Sequence, residues 1–161
     1  MRSVQTVVNV LIEIGSNGRP VFEELLVEKE DGHYRLLRSP GLVIGLAAGD
    51  LFDIDANGSY QLLTRGRNLC IQVFTIEEKN TDSIDEFVTP KLTAIGGRLD
   101  GKAAKQLVYT IAVEVGFESI EKLMRELGTA FPGTEWYYGN VYDPNDGVTP
   151  LGWWGPEPVV S

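Results

Sequence analysis

The sequence predicts an α+β fold in which a small N-terminal antiparallel β-barrel or bent sheet packs on a C-terminal ferredoxin-like βα(β)βαβ unit with two helices. Three observations point there. Residues 1–69 alternate apolar and polar side chains with a period of two, between short turn-forming clusters. Residues 70–142 interleave strand-like apolar runs with two segments of helical period. Residues 143–161 shift to a Pro/Gly-rich composition and form a tail. With 161 residues, 43% of them hydrophobic, these segments suit one compact unit with a sizeable core.

In the first segment, TVVNVLIEI places Val8, Val10, Ile12 and Ile14 on one face of a strand. VFEELLVEK, HYRLL, LVIGLA, LFDID and SYQLL follow as further strands, separated by GSNG, EDG, SPG, AGD and ANG. The run DIDANG, Asp53 to Gly58, opens like a calcium-binding EF-hand loop. Position twelve of such a loop must be a bidentate Glu and here is Thr64, and neither flank has a helical pattern. A three-residue hairpin loop, Ala56-Asn57-Gly58, accounts for the same letters by pairing Asp55 with Ser59, Ile54 with Tyr60, Asp53 with Gln61 and Phe52 with Leu62. A two-residue Asn-Gly loop would instead face Ile54 with Gln61. The hairpin predicts Gly58 in the left-handed region and turns Asp53 and Asp55 to solvent.

In the second segment, LCIQVFTI is a strand, and its lone Cys70 is expected to be a buried, inert thiol. The first helix spans SIDEFVTPKLTAIGG: Ser83 and Glu86 have capping-box spacing, Ile84, Phe87, Val88, Leu92 and Ile95 form one stripe, and Gly96-Gly97 end it. Pro90 predicts either a bend or a fresh start capped by Thr89. An Asp100-Gly101 turn after a short strand leads into the strand AKQLVYTIAVEV. The second helix, FESIEKLMRELG, carries Phe117, Ile120, Leu123, Met124 and Leu127 on its buried stripe, Glu118/Lys122 and Glu121/Arg125 as i,i+4 pairs, and Gly128 as its stop. The strand TEWYYGNVY sends Trp136 and Tyr138 to one face and Tyr137 to the other. Trp153 and Trp154 are the candidate anchors of the tail.

Charge and composition exclude several functions. The formal net charge is -9, distributed as net -2 up to Leu69 and net -7 from Cys70 onward. A phosphate backbone demands clustered Lys and Arg, so no nucleic-acid partner is expected. No apolar run reaches the roughly 20 residues of a membrane span, and MRSVQTVVNVLIEI lacks a signal pattern, so a cytoplasmic protein without membrane attachment is expected. GGRLDGKA has phosphate-loop spacing in Gly96, Gly101 and Lys102, but Ala103 replaces the magnesium-binding hydroxyl and the segment follows a helix. The single histidine, His33, lies in the turn EDGHYR, and with one His and one Cys neither a metal site, a cofactor nor a catalytic constellation is expected.

GHYRLLRSPGLVIGLAAGDLFDI, through Gly32, Tyr34, Arg35, Leu36, Pro40, Gly45, Gly49 and Asp50, resembles a family of small bacterial proteins catalogued as domain of unknown function 4265. The likeness continues through Gly66-Arg67-Asn68 and the helix ending in glycine, and covers roughly Glu24 to Tyr138. The family commonly has Asn before the Pro and an aromatic after it; this chain has Ser39 and Gly41-Leu42. The resemblance implies no reaction and no catalytic residue. It leaves Gly49-Asp50 as a turn between strands.

In size and charge the chain also looks like bacterial immunity proteins, which neutralise a cognate, often basic, toxin by covering its active site. An interaction protein is therefore expected, with Glu77, Glu78, Asp82, Asp85 and Glu86 of EEKNTDSIDE meeting a basic protein toxin and Tyr137 and Tyr142 as aromatic anchors. The alternative is a small-molecule binder or enzyme whose pocket lies between the two halves, with Arg35, Arg38 and Arg67 holding an anion.

Overall fold

The computed structural model describes residues 4–155, and these build two antiparallel sheets, one covered by two helices. The first sheet is a five-stranded meander of β1 (Gln5–Ile14), β2 (Pro20–Glu30), β3 (His33–Leu36), β4 (Leu51–Ile54) and β5 (Tyr60–Thr64). It bends without closing into a barrel: the tip of the β4–β5 hairpin curls back so that the Leu11 N–H donates to the Gly58 carbonyl at 2.8 Å. The concave face buries Val10, Leu25, Val27, Leu36 and Phe52. The β2–β3 connection needs positive φ at both central residues, Asp31 (52°) and Gly32 (83°), as a tight two-residue hairpin does.

The DIDANG register is the one the apolar pairing requires. Phe52 faces Leu62, Asp53 faces Gln61 and Ile54 faces Tyr60; the Asp55 and Ser59 backbones bond at 2.9 Å, and Gly58 has φ 87°. Asp55 Oδ1 accepts the Asn57 and Ser59 N–H groups at 2.8 and 3.0 Å and braces the turn from outside. Asp53 is not fully turned to solvent: it is half-buried, 2.6 Å from His33 Nδ1, and His33 opens β3 instead of sitting in the turn.

The second sheet contains β6 (Asn68–Phe74), β7 (Arg98–Ala103), β8 (Gln106–Ala112) and β9 (Glu135–Tyr138) in the order β7-β8-β6-β9. With α1 (Thr81–Ala94) after β6 and α2 (Phe117–Ala130) after β8, this is the ferredoxin-like βαββαβ arrangement. Leu69, Ile71 and Val73 of β6 and Leu107, Tyr109 and Ile111 of β8 meet Ile84, Val88 and Leu92 of α1 and Ile120, Leu123, Met124 and Leu127 of α2. Each fully buried large aliphatic side chain in this layer contributes about 1.5–3 kcal/mol.

Helix boundaries differ from the expected ones for local reasons. A 3-10 turn at Glu78–Asn80 starts α1 at Thr81, so Ser83 lies inside the helix and does not cap it. α1 runs through Pro90; Thr89 begins no new helix, its hydroxyl bonding Asp85 (2.5 Å) and the buried Tyr109 hydroxyl (2.8 Å). Gly96-Gly97 do end it, with the Gly97 N–H on the Leu92 carbonyl at 2.8 Å. α2 passes Gly128 and stops at Ala130, and among the described residues neither Glu118/Lys122 nor Glu121/Arg125 closes to an ion pair.

Asp100-Gly101 is not a turn but a bulge within β7, between the Leu99–Tyr109 and Gly101–Val108 pairs. A bulge re-aims one side chain. Here the Asp100 carboxylate, whose side chain is 3% exposed, reaches the Ser39 N–H at 2.8 Å and the Thr110 hydroxyl at 2.5 Å.

The second face of this sheet carries Cys70, Gln72, Val108 and Thr110, and residues 37–50 lie across it. The expected strand LVIGLA is absent there, because these residues bond to side chains instead of a strand ladder and Gly45 and Gly49 adopt positive φ (102° and 93°). Glu23 accepts the N–H groups of Gly41, Leu42 and Val43 at 2.8–3.0 Å. Asp50, 1% exposed, accepts those of Ala47 and Gly66, both at 2.9 Å. Burial raises the Asp50 pKa above the ordinary carboxylate range despite these donors and the cations Arg65 and Arg35.

The tail folds back. Trp153 Nε1 donates to the Asn140 carbonyl at 2.9 Å, Arg65 lies over its ring, and Trp154 meets Phe117 edge-on at 5.2 Å. Residues 156–161 of the expected tail lie outside the described residues. No helix among the described residues is long and apolar enough to cross a membrane.

Two glycines of opposite role test this packing. A Cβ on Gly66 would stand 2.5 Å from the Gly49 carbonyl carbon, so Gly66→Ala lowers unfolding free energy by about 2 kcal/mol. Gly128 lies in α2 with nothing within 4 Å of a Cβ, so Gly128→Ala raises it by about 0.8 kcal/mol. Urea midpoints at unchanged m-value measure both. Burial also pushes the Cys70 thiol from 9.0 up to about 12. Between those values the unfolded chain has released a proton that the folded one retains, so stability falls as pH rises, by about 1.4 kcal/mol per pH unit at most. Cys70→Ala removes that part of the alkaline slope in urea titrations repeated across pH.

Candidate functional site

The acidic run divides into two kinds of position. Asp82 and Asp85 share Lys102, whose Nζ lies 2.5 and 3.0 Å from them. The Thr89 hydroxyl, then Lys102, hold the Asp85 carboxyl below its ordinary range. These two acids fasten the start of α1 to β7. Glu77 pairs only with the exposed Lys79 at 3.1 Å, a contact of little energetic weight. Glu78 and Glu86 are exposed and unpaired among the described residues.

The three arginines do not converge. Arg35 forks onto Glu30 at 2.9 and 2.6 Å and donates to the Gly49 carbonyl, while Arg67 pairs with Glu114 at 2.7 Å. Only Arg38 reaches the junction of the halves, a cleft of about 390 Å³ between β2 and β7. Most charges lining that cleft already have internal partners: Glu23 holds the 41–43 amides, Asp100 holds Ser39, Thr110 and Arg98, and Lys102 holds Asp82 and Asp85. The cleft is therefore an assembled seam more than a waiting receptor.

A second concavity, of about 610 Å³, wraps β9 and brings Tyr137 and Tyr142 together. Alternation places Tyr137 on the face of Gln72 and Phe74, its ring 5.9 Å from Phe74, and Trp136 and Tyr138 on the helix face, 4.9 Å apart and edge to face. Tyr142 enters from the loop after β9, which is closed by a bridge to Pro150 and by the Asp143 N–H on the Thr149 carbonyl at 2.8 Å. Ile44 of the 37–50 segment forms another wall, held there because the Gly45 N–H donates to the Gly139 carbonyl at 2.7 Å. A side chain at Gly139 could not pass, since its Cβ would lie 2.7 Å from Cys70 Sγ.

The groove has one sign of charge. Glu121 and Asp143 are its ionisable acids, and no Lys, Arg or His lines it. Glu121 forms no ion pair among the described residues, and the Asp143 carboxylate accepts the Asn145 N–H at 2.9 Å. The Tyr138 hydroxyl is enclosed beside Glu121. Burial, then the neighbouring Glu121 charge, push its pKa above the usual phenol range. β9 pairs only with β6, so its outer edge is free of a strand partner among the described residues.

Sequence reasoning named Tyr137 and Tyr142 and missed Gln72, Phe74, Glu121 and Asp143. Phe74 and Gln72 were within reach, because pairing Tyr137 beside them follows once β9 is placed next to β6. Glu121 and Asp143 carry no local signal; their positions depend on the docking of α2 and the 142–150 loop.

The comparisons bear on family and fold. A solved structure described as a novel crystal structure of a hypothetical protein from Neisseria gonorrhoeae superposes with a TM-score of 0.60 over 86% of this chain and 96% of that one, at 12% sequence identity. At that identity the likeness concerns the fold. No curated protein matches the chain. The model of the family described as Domain of unknown function (DUF4265) matches residues 23–131, from the Glu23 clamp to the residue after α2, and the chain belongs to that family.

Proposed function

We propose that this chain is a non-enzymatic interaction protein of the immunity class, which binds and neutralises a cognate basic toxin in the bacterial cytoplasm. The observation that carries the proposal is the single-signed aromatic groove at β9, at the sheet end where the acidic run begins. β6 leaves the sheet at Phe74, opposite Glu135 of β9 and three residues before Glu77. Exposed Glu77 and Glu78 follow at that end, and Glu86, on α1 beside the Asp82–Lys102–Asp85 bracket, adds to the protein's negative field. Such a field speeds and orients encounter with a basic protein, while aromatic rings supply the short-range contact. The buried lone cysteine suits a reducing compartment. The cleft between the halves is the weaker candidate for an anion site, because only Arg38 among the three arginines reaches it.

Co-expression tests the proposal. The product of the adjacent open reading frame is expected to inhibit growth and this chain to restore it. Charge reversal at Glu77, Glu78 and Glu86, which spares Lys102 and its partners, is expected to slow association by about tenfold at low salt and weaken rescue. Rescue and association rate unchanged by the triple reversal would remove the acidic surface from the account. A harmless neighbour would remove the toxin class.

A further inference from the structure

The groove is more specific than a sticky patch. Its aromatic rings surround a space bordered by two carboxylates. A group that suits both must be cationic and must have an apolar stem for the rings. The fold already uses that pairing twice, with Arg65 over Trp153 at 5.3 Å and Lys91 over Phe87 at 4.0 Å.

We infer that the groove seats an arginine or lysine side chain of the protein partner, its cation between the Tyr and Trp rings and the Glu121 and Asp143 carboxylates. This rests on the interaction reading above and names the partner chemistry at that site. Charge complementarity selects the occupant, since no basic residue of this chain lines the groove. The volume of about 610 Å³ exceeds one side chain and accommodates its neighbours in an extended segment. The unpaired edge of β9 runs beside it and offers that segment backbone hydrogen bonds. A side chain in a peptide therefore fits better than a free cation.

The experiment titrates the full chain with the peptide Gly-Arg-Gly, blocked at both ends, and with the same peptide carrying neutral citrulline. Amide and indole NMR signals of Trp136, Tyr137 and Tyr138 report the site, and choline serves as the free cation.

The arginine peptide is expected to shift those signals and to bind about tenfold more tightly than the citrulline one. Glu121→Gln with Asp143→Asn reduces that preference severalfold. Equal binding of both peptides, binding of neither, shifts centred on the β2–β7 cleft, or choline matching the peptide would each overturn the assignment. The two claims fail separately. Rescue that survives Glu121→Gln with Asp143→Asn, together with an indifferent peptide titration, overturns this site and leaves the interaction reading. Selective arginine binding beside a harmless neighbour overturns the toxin class and leaves the site.

Discussion

A segment without a strand ladder, buried between two sheets, is the constraint on which the rest of the structure depends. Residues 37–50 lie under β6 and β8 without a strand ladder, so their backbone donors must find acceptors one by one. Three carboxylates supply many of them. Glu23, Asp50 and Asp100 together accept six backbone N–H groups, five of them from this segment. Removing one such carboxylate would leave up to three donors unpaired, at about 1–3 kcal/mol each where buried. The segment then places Ile44 and Gly45 against Gly139, so the clamp that joins the halves also forms a wall of the groove.

Much of this was legible in local chemistry, and the rest depended on distant partners. The β4–β5 register followed from apolar pairing alone, and the stripes Ile84/Val88/Leu92 and Ile120/Leu123/Met124/Leu127 followed from helical period. The 37–50 segment was misread because LVIGLA has a strand's composition. Its conformation is decided by acceptors at Glu23 and Asp100, far away in sequence. Asp100-Gly101 has turn letters, yet in β7 they make a bulge because Asp100 has somewhere buried to go. In the site, Tyr137 and Tyr142 stood out as exposed aromatics, while Asp82 and Asp85 looked like surface acids and proved to be a bracket around Lys102.

Separating bracket from free surface sharpens the electrostatic argument. Carboxylates that already hold a lysine, an arginine or a row of amides add little to recognition; those free of a cation remain able to take one. Glu121, Asp143, Glu78 and Glu86 have no ion pair among the described residues, and Glu121 and Asp143 line the groove beside the unpaired β9 edge. Edge strands in soluble proteins are commonly protected against pairing. At β9 the protection is loose: Tyr137 is 51% exposed, and the outer edge has no strand partner among the described residues.

Amide hydrogen exchange on the complex with the protein partner tests the central claim most directly, because it locates contact without presuming a residue. Slowed exchange confined to Glu135–Tyr138 and the 142–147 loop, with the β2–β7 seam unchanged, is the predicted result. Protection centred on residues 23–26 and 38–41 with β9 unaffected would contradict the account.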